Sequence, residues 1–172
     1  MPRALVTPPM WNRRPGKYLE ILEQAGFEVA YPPADVNLSD PAVLRQVLQG
    51  ADALLASTEP LTRGILAASR LRVVARTGVG YDSVDVAAAT DLGIVVTITP
   101  GAVDVSAAEH TFALLLALTR GIVERDRQVR TGVWERRALP QLAGKTFGVV
   151  GLGRIGRAVA VRALGLQMNV IA

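Results

Sequence analysis

Thr146-Phe-Gly-Val-Val-Gly-Leu-Gly-Arg-Ile-Gly-Arg-Ala-Val-Ala-Val-Arg-Ala-Leu-Gly-Leu-Gln-Met-Asn-Val-Ile-Ala172 reads as strand, glycine turn, helix and strand. A G-x-G-x-x-G pattern alone is weak. Here it follows an apolar strand at 147–150 and opens a helix at 154–164, the context that gives it meaning. Gly151 permits the tight turn. Gly153 lets the backbone approach a diphosphate. Gly156 lets the helix pack closely on the strand. The amides at the helix N-terminus, with its partial positive charge, complete an anion cradle. This points to a dinucleotide held by Gly151, Gly153, Arg154, Ile155 and Gly156. A purely structural turn and a turn for another adenine cofactor, such as S-adenosylmethionine, are the weaker alternatives. The acid that would bind the adenosine ribose is expected about 20 residues on, at or beyond Ala172. NAD is therefore the expected cofactor, with NADP open.

Working outward, the 72 residues from 101 hold little more than this unit. Ser106–Arg120 is apolar all round and is expected to be a buried helix. Residues 122–134 read as a polar, basic surface helix, and 134–145 as a loop with Trp134 as a packing anchor. The first hundred residues alternate differently. Apolar runs at 4–7, 27–31, 51–57, 71–77 and 94–99 are separated by helical stretches at 16–26, 41–50, 61–69 and 84–92. Asp40-Pro41 reads as an N-cap and first helical residue, and Asp82 and Asp85 as caps before Val86-Ala-Ala-Ala. Near-continuous apolar strands alternating with helices predict a parallel sheet covered on both faces. The fold class is α/β: a flavodoxin-like doubly wound domain at 1–99, then the first part of a Rossmann domain at 100–172.

Composition sets outer bounds. Half of the 172 residues are apolar and a fifth are charged, which is globular composition. With no cysteine and one histidine, His110, there is no disulfide framework, thiolate nucleophile or Cys- or His-rich metal site. A reducing cytoplasm is the expected location. No apolar run of about 20 residues offers a membrane span. Charge is uneven: residues 1–119 carry 9 Lys/Arg against 12 Asp/Glu, and residues 120–172 carry 10 against 3. No basic block and no basic–aromatic interleaving accompanies the excess, so nucleic acid ranks below the two other readings, a site for a phosphate-bearing cofactor and a chain that stops before balancing acidic sequence.

Three segments, Arg76-Thr-Gly-Val-Gly-Tyr-Asp-Ser-Val-Asp85, Ala108-Glu-His-Thr-Phe-Ala-Leu-Leu-Leu-Ala-Leu118 and Gly148-Val-Val-Gly-Leu-Gly-Arg-Ile-Gly-Arg157, resemble in order and spacing the D-2-hydroxyacid dehydrogenases, with the phosphoglycerate dehydrogenase branch nearest. The resemblance spans nearly the whole chain. It implies a substrate domain, a hinge through the apolar helix, a Rossmann NAD domain with the active site in the cleft, and a homodimer. It assigns Gly153, Arg154 and Ile155 to the diphosphate turn. Val79 and Gly80 match the loop whose amides face the substrate carboxylate, Val79 lying also toward the nicotinamide. Ser57 lies on the other substrate-lining loop. The implied substrate is a small 2-hydroxy or 2-oxo acid. Phosphoglycerate dehydrogenases often carry an arginine just before that serine. Here it is Ala56, which argues against phosphoglycerate, although Arg63 is near enough in sequence to compensate.

The family's catalytic arginine, its acid partner and its acid/base histidine lie later in its NAD domain. No residue here matches them, and they are expected beyond Ala172. His110 falls in the hinge helix and is expected to be a hydrogen-bonded structural residue. Glu109 reads as part of a capping box with Ser106, or as sitting inside a helix that starts earlier. Arg76 is suited either to clamp a carboxylate or to orient the Thr-Gly-Val-Gly loop. A non-catalytic dinucleotide sensor or co-repressor-like module is the competing function. Stopping at Asn169-Val-Ile-Ala172, in mid-strand, favours a shortened enzyme over such a module.

Overall fold

Five short apolar runs in the first hundred residues pair side by side, all in the same direction. They are β1 (Arg3–Val6), β2 (Glu28–Ala30), β3 (Ala53–Ala56), β4 (Val73–Arg76) and β5 (Val95–Thr97), in the order β2-β1-β3-β4-β5. This is the flavodoxin-like doubly wound order. A computed structural model describes all 172 residues. The chain separates into two compact units, Met1–Pro100 and Gly101–Ala172.

In the first unit the crossovers are α1 (Lys17–Gln24), α2 (Pro41–Val47), α3 (Arg63–Ala67) and α4 (Val86–Asp91). Each strand is followed by a helix because parallel neighbours need a crossover to return the chain. Sequence caps set two of the helix starts. Asp40 accepts from the amides of Ala42 and Val43, and Asp85 from that of Ala88 at 2.8 Å. Asp82, read above as a second cap, lies in the exposed loop before α4 instead. The core joins Leu5, Leu54 and Val74 from the sheet to Leu44, Leu48, Ile65, Leu66 and Ala88 from the helices. Burying each of the larger aliphatic side chains contributes about 1.5–3 kcal/mol.

In the second unit, β6 (Thr146–Gly148) and β7 (Asn169–Ile171) pair in parallel, Phe147 opposite Val170. They are joined through α7 (Arg154–Gly165), giving one βαβ unit. The helices α5 (Asp104–Thr119) and α6 (Ile122–Arg130) precede it. Ala108 and Phe112 of α5 pack with Val159, Ala163 and Met168, and the Phe112 and Phe147 rings stack at 5.7 Å. No helix is long and apolar enough to cross a membrane.

Three expectations for this unit need correction. The helix α5 is not buried all round. Only Ala108 and Phe112 are enclosed, and Leu114 and Leu118 are 59% and 80% exposed. A two-stranded sheet and one helix cover a single stripe of its surface. Of the two readings of Glu109 the second holds: α5 begins at Asp104, so Ser106 is inside the helix and forms no cap, while Glu109 faces Arg162 at 3.7 Å. His110 stands in solvent on the same helix, not in a hydrogen-bonded structural setting. Trp134 anchors nothing: it is 76% exposed. The basic helix α6 is a surface helix with no buried residue, laced by the Arg130–Asp126 pair and an Arg137–Glu124 ion pair.

Candidate functional site

The candidate residues fall into one constellation in each unit. In the second unit, the turn after β6 has the three glycines in three different situations. Gly151 adopts φ +94°, which L side chains rarely tolerate. Gly156 sits with its Cα against the turn itself. A Cβ there would come 2.1 Å from the carbonyl oxygen of Gly151 and 3.3 Å from Val149 Cγ1. Gly153 is different: a Cβ built on it meets nothing within 4 Å. It is the N-cap of α7, and no side chain hydrogen-bonds to the free first-turn amides. No acid lies in that first turn.

These are the requirements of a diphosphate cradle: open backbone, unsatisfied amides, the positive end of a twelve-residue helix and no competing carboxylate. Arg154 is exposed at the first helical position, its guanidinium 3.3 Å from where a Cβ on Gly101 would lie. Arg157 turns back and donates from Nε to the carbonyl of Leu152 at 3.1 Å, which stiffens the turn. Arg162 donates to the Ala158 carbonyl on its own helix. The residues present therefore fit a dinucleotide phosphate. No group of three or more metal-ligating side chains occurs.

In the first unit, the constellation lies at the C-terminal edge of the sheet, where open α/β sheets bind ligands. β3 runs into Ser57 and β4 into Thr77-Gly-Val-Gly80. Because β3 and β4 are neighbours in parallel register, with Ala56 opposite Arg76, both loops leave the sheet side by side. Hydrogen bonds tie them together. Thr77 donates to the Ala56 carbonyl from both its amide and its hydroxyl, at 3.0 and 3.1 Å. Arg76 donates from Nε and Nη2 to the carbonyl of Gly80 at 3.0 and 2.8 Å, and from Nη1 to that of Ala56 at 3.5 Å. Of the two roles open to Arg76, its hydrogen bonds perform the second: it orients the loop.

β1 completes the edge. Thr7 is buried, donates to the Leu55 carbonyl at 2.9 Å and receives the Ser57 amide at 3.3 Å. Thr7 and Thr77 escaped the sequence reading; for Arg76 the loop-orienting role was read and only its partners, Ala56 and Gly80, were not. For Thr7 the available signal was topological, since the 2-1-3 order puts the ends of β1 and β3 together. The amides of Val79 and Gly80 are left without acceptors on this loop, and the Arg76 guanidinium beneath adds positive potential. Two adjacent free amides over a guanidinium can receive a carboxylate. Arg63 does not contribute a free cation here. It pairs with Asp91 at 2.7 Å, and that hydrogen bond raises its pKa.

Residues 13–160 match the family of D-isomer specific 2-hydroxyacid dehydrogenases, catalytic domain. The chain belongs to this family. It is 40% identical over 157 residues to a D-3-phosphoglycerate dehydrogenase of Archaeoglobus fulgidus, covering 90% of this chain and 29% of the relative. It is 39% identical over 178 residues to a glyoxylate reductase of Korarchaeum cryptofilum, covering 99% of this chain and 52% of that one. The chain thus spans about half or less of the length of these relatives. Among solved structures, a Thermus thermophilus protein superposes with a TM-score of 0.86 at 38% identity, over 98% of this chain and 54% of that one. The D-lactate dehydrogenase of Aquifex aeolicus, solved with NAD and lactic acid, superposes at 0.79 and 27% identity, over 97% and 50%.

Proposed function

We propose that this chain is the substrate domain (1–99) together with the hinge helix and first part of the NAD domain (100–172) of an oxidoreductase. The enzyme interconverts a small D-2-hydroxy acid and its 2-oxo acid, with NAD, or NADP, as hydride carrier. The observation that carries this is the turn at 151–156: uncapped first-turn amides of α7 facing open space over Gly153. Family membership supplies the reaction class.

The geometry of each constellation supports the roles proposed for the turn and loop residues, and the second role of Val79 rests on the family resemblance alone. Gly151 and Gly156 shape the turn. Gly153, Arg154 and Ile155 present backbone to the diphosphate, and the exposed Arg154 guanidinium adds a cation. Val79 and Gly80 offer their amides to the substrate carboxylate, with Ser57 on the adjoining loop. Val79 has a second role toward the nicotinamide. Arg76, Thr77 and Thr7 hold those loops, so the acid is oriented through its carboxylate before its C2 reacts. When bound, the nicotinamide supplies the hydride chemistry. The proton-transfer set of arginine, acid and histidine lies outside this stretch in this reading.

The same reading makes the protein a cytoplasmic homodimer. The homodimer rests on the family resemblance; the exposed Leu114 and Leu118 on α5 and Val161 and Leu164 on α7 are apolar surface that the rest of the NAD domain or a second copy would cover. The test is turnover by the full-length protein carrying this sequence. Glyoxylate, pyruvate and hydroxypyruvate are each offered with NADH and with NADPH. Oxidation of the cofactor by at least one 2-oxo acid is the expected result, and no oxidation by any of them contradicts the proposal.

A further inference from the structure

Glu59 stands two residues beyond Ser57, in the segment joining β3 to α3. It is 4% exposed, and neither carboxyl oxygen has a hydrogen-bond partner in the chain. Enclosing a carboxyl group without donors is costly, so a fold that keeps one needs donors from elsewhere. A second enclosed polar atom without a partner is Ser83 Oγ, in the segment joining β4 to α4. The two segments are stitched together. The Leu61 amide donates to the Ser83 carbonyl at 2.7 Å, the Asp85 amide donates to the Leu61 carbonyl at 3.0 Å, and Leu61 and Val84 form a parallel bridge. One segment begins at Ser57. The other follows Val79 and Gly80. The stitch therefore joins the two substrate-facing loops downstream of the residues that face substrate.

We infer that Glu59 is a positioning residue for substrate, holding with Ser83 an ordered internal water that locks these loops in register. The inference rests on the function proposed above. A water brings two donors and two acceptor sites, and buried waters typically make about three hydrogen bonds to groups otherwise unsatisfied. It donates to the Glu59 carboxyl and bonds the Ser83 hydroxyl, which can donate or accept. Both side chains act through the loops rather than on substrate in this reading. Their effect is carried to Ser57 on one side and to the Val79 and Gly80 amides on the other.

Steady-state kinetics of the full-length protein with glyoxylate and NADH test this, with NADH binding and thermal unfolding measured alongside. Glu59→Leu is expected to raise KM by about tenfold or more, since small displacements of positioning groups are costly. Its kcat and the Kd for NADH should stay within about threefold. Glu59→Gln keeps a polar head that can bond the water and should recover most of the affinity. Ser83→Ala should raise KM in the same direction, and the double variant Glu59→Leu/Ser83→Ala no further than the worse single, because both act through one water. Unchanged KM in Glu59→Leu overturns the inference, as do independent, multiplying effects of the two changes. If Glu59→Leu does not fold, Ser83→Ala and Glu59→Gln decide: an unchanged KM in Ser83→Ala overturns it. Wild-type protein that turns over no 2-oxo acid would overturn the functional reading as well. Active wild type with insensitive variants would overturn this inference alone.

Discussion

A side chain at Gly156 would collide with the backbone of Gly151: the two are so close that a Cβ on one would lie 2.1 Å from the carbonyl oxygen of the other. The helix α7 can start where it does only because residue 156 has no side chain. Gly156→Ala must therefore push the turn and the helix apart. Overpacking of this kind costs about 1–3 kcal/mol, and a clash with backbone belongs at or above the top of that range. Thermal unfolding of the 172-residue chain should show a clearly lower Tm for Gly156→Ala. An unchanged Tm would mean the turn is not packed as described.

Arg76 ties Ala56 and Gly80, on the two loops proposed to face substrate, through three hydrogen bonds. Lysine keeps the charge but loses the planar fork that reaches both carbonyls. In the full-length protein, Arg76→Lys should raise KM for a 2-oxo acid by about tenfold, consistent with a loss of about 1–1.5 kcal/mol in net hydrogen bonding. The Kd for NADH should be unaffected. Equal KM values for wild type and variant would show that Arg76 does not set the loop.

Phosphorylated substrates should be poor ones. Ala56 is buried with its carbonyl already engaged by Thr77 and Arg76, and Arg63 is committed to Asp91. Charge-assisted hydrogen bonds contribute about 1.5–3 kcal/mol each, so the lack of a free guanidinium should favour the unphosphorylated acid by about tenfold or more in kcat/KM. The comparison is 3-phosphoglycerate against glycerate in the full-length protein. A strong preference for the phosphate would contradict the prediction.

Asp52 gives a pH dependence that needs no substrate. The Arg3 amide donates to its carboxylate at 2.7 Å and Arg70 pairs with it at 3.0 Å. That backbone hydrogen bond first, and the Arg70 guanidinium with it, hold its pKa below the usual carboxylate value. A pKa lowered in the folded state stabilises above the unfolded value, and the stabilisation is lost as pH falls through the folded one. Asp52→Asn should therefore lower the Tm of the 172-residue chain at neutral pH, with the difference shrinking as the pH falls below the ordinary carboxylate range. A difference that persists undiminished in acid would rule out this origin.

How much of this was readable from residues alone depends on where the information lies. The strands were legible because parallel strands, buried on both faces, are apolar without alternation, as in Leu54 and Val74. The caps Asp40 and Asp85 were legible because capping is local. The positive φ of Gly151 and the close packing at Gly156 were legible because their spacing is set by the turn itself. Asp82 misled because an aspartate one turn ahead of a helix looks like a cap whether or not the chain bends to use it. The contacts of Arg76 were hidden, since they depend on β3 and β4 being neighbours. Glu59 was hidden for the opposite reason: a polar residue in a loop reads as solvated, and only the packed structure shows it enclosed. The leucines of α5 and Trp134 read as core because apolar residues usually are, yet this unit encloses only one stripe of that helix.

The dinucleotide assignment is tested most directly at Gly153. Its backbone, at φ −75° and ψ −159°, suits any L residue, and the space around it is open. A side chain there should leave folding alone while standing where a diphosphate must meet the α7 amides. The measurement is calorimetric titration of NADH into wild type and Gly153→Val of the full-length protein, with thermal unfolding of both. The predicted result is a Tm within about 2 °C of wild type and NADH affinity reduced by about a hundredfold or more, a loss of at least about 2.7 kcal/mol. A Gly153→Val protein that binds NADH as tightly as wild type would contradict the assignment.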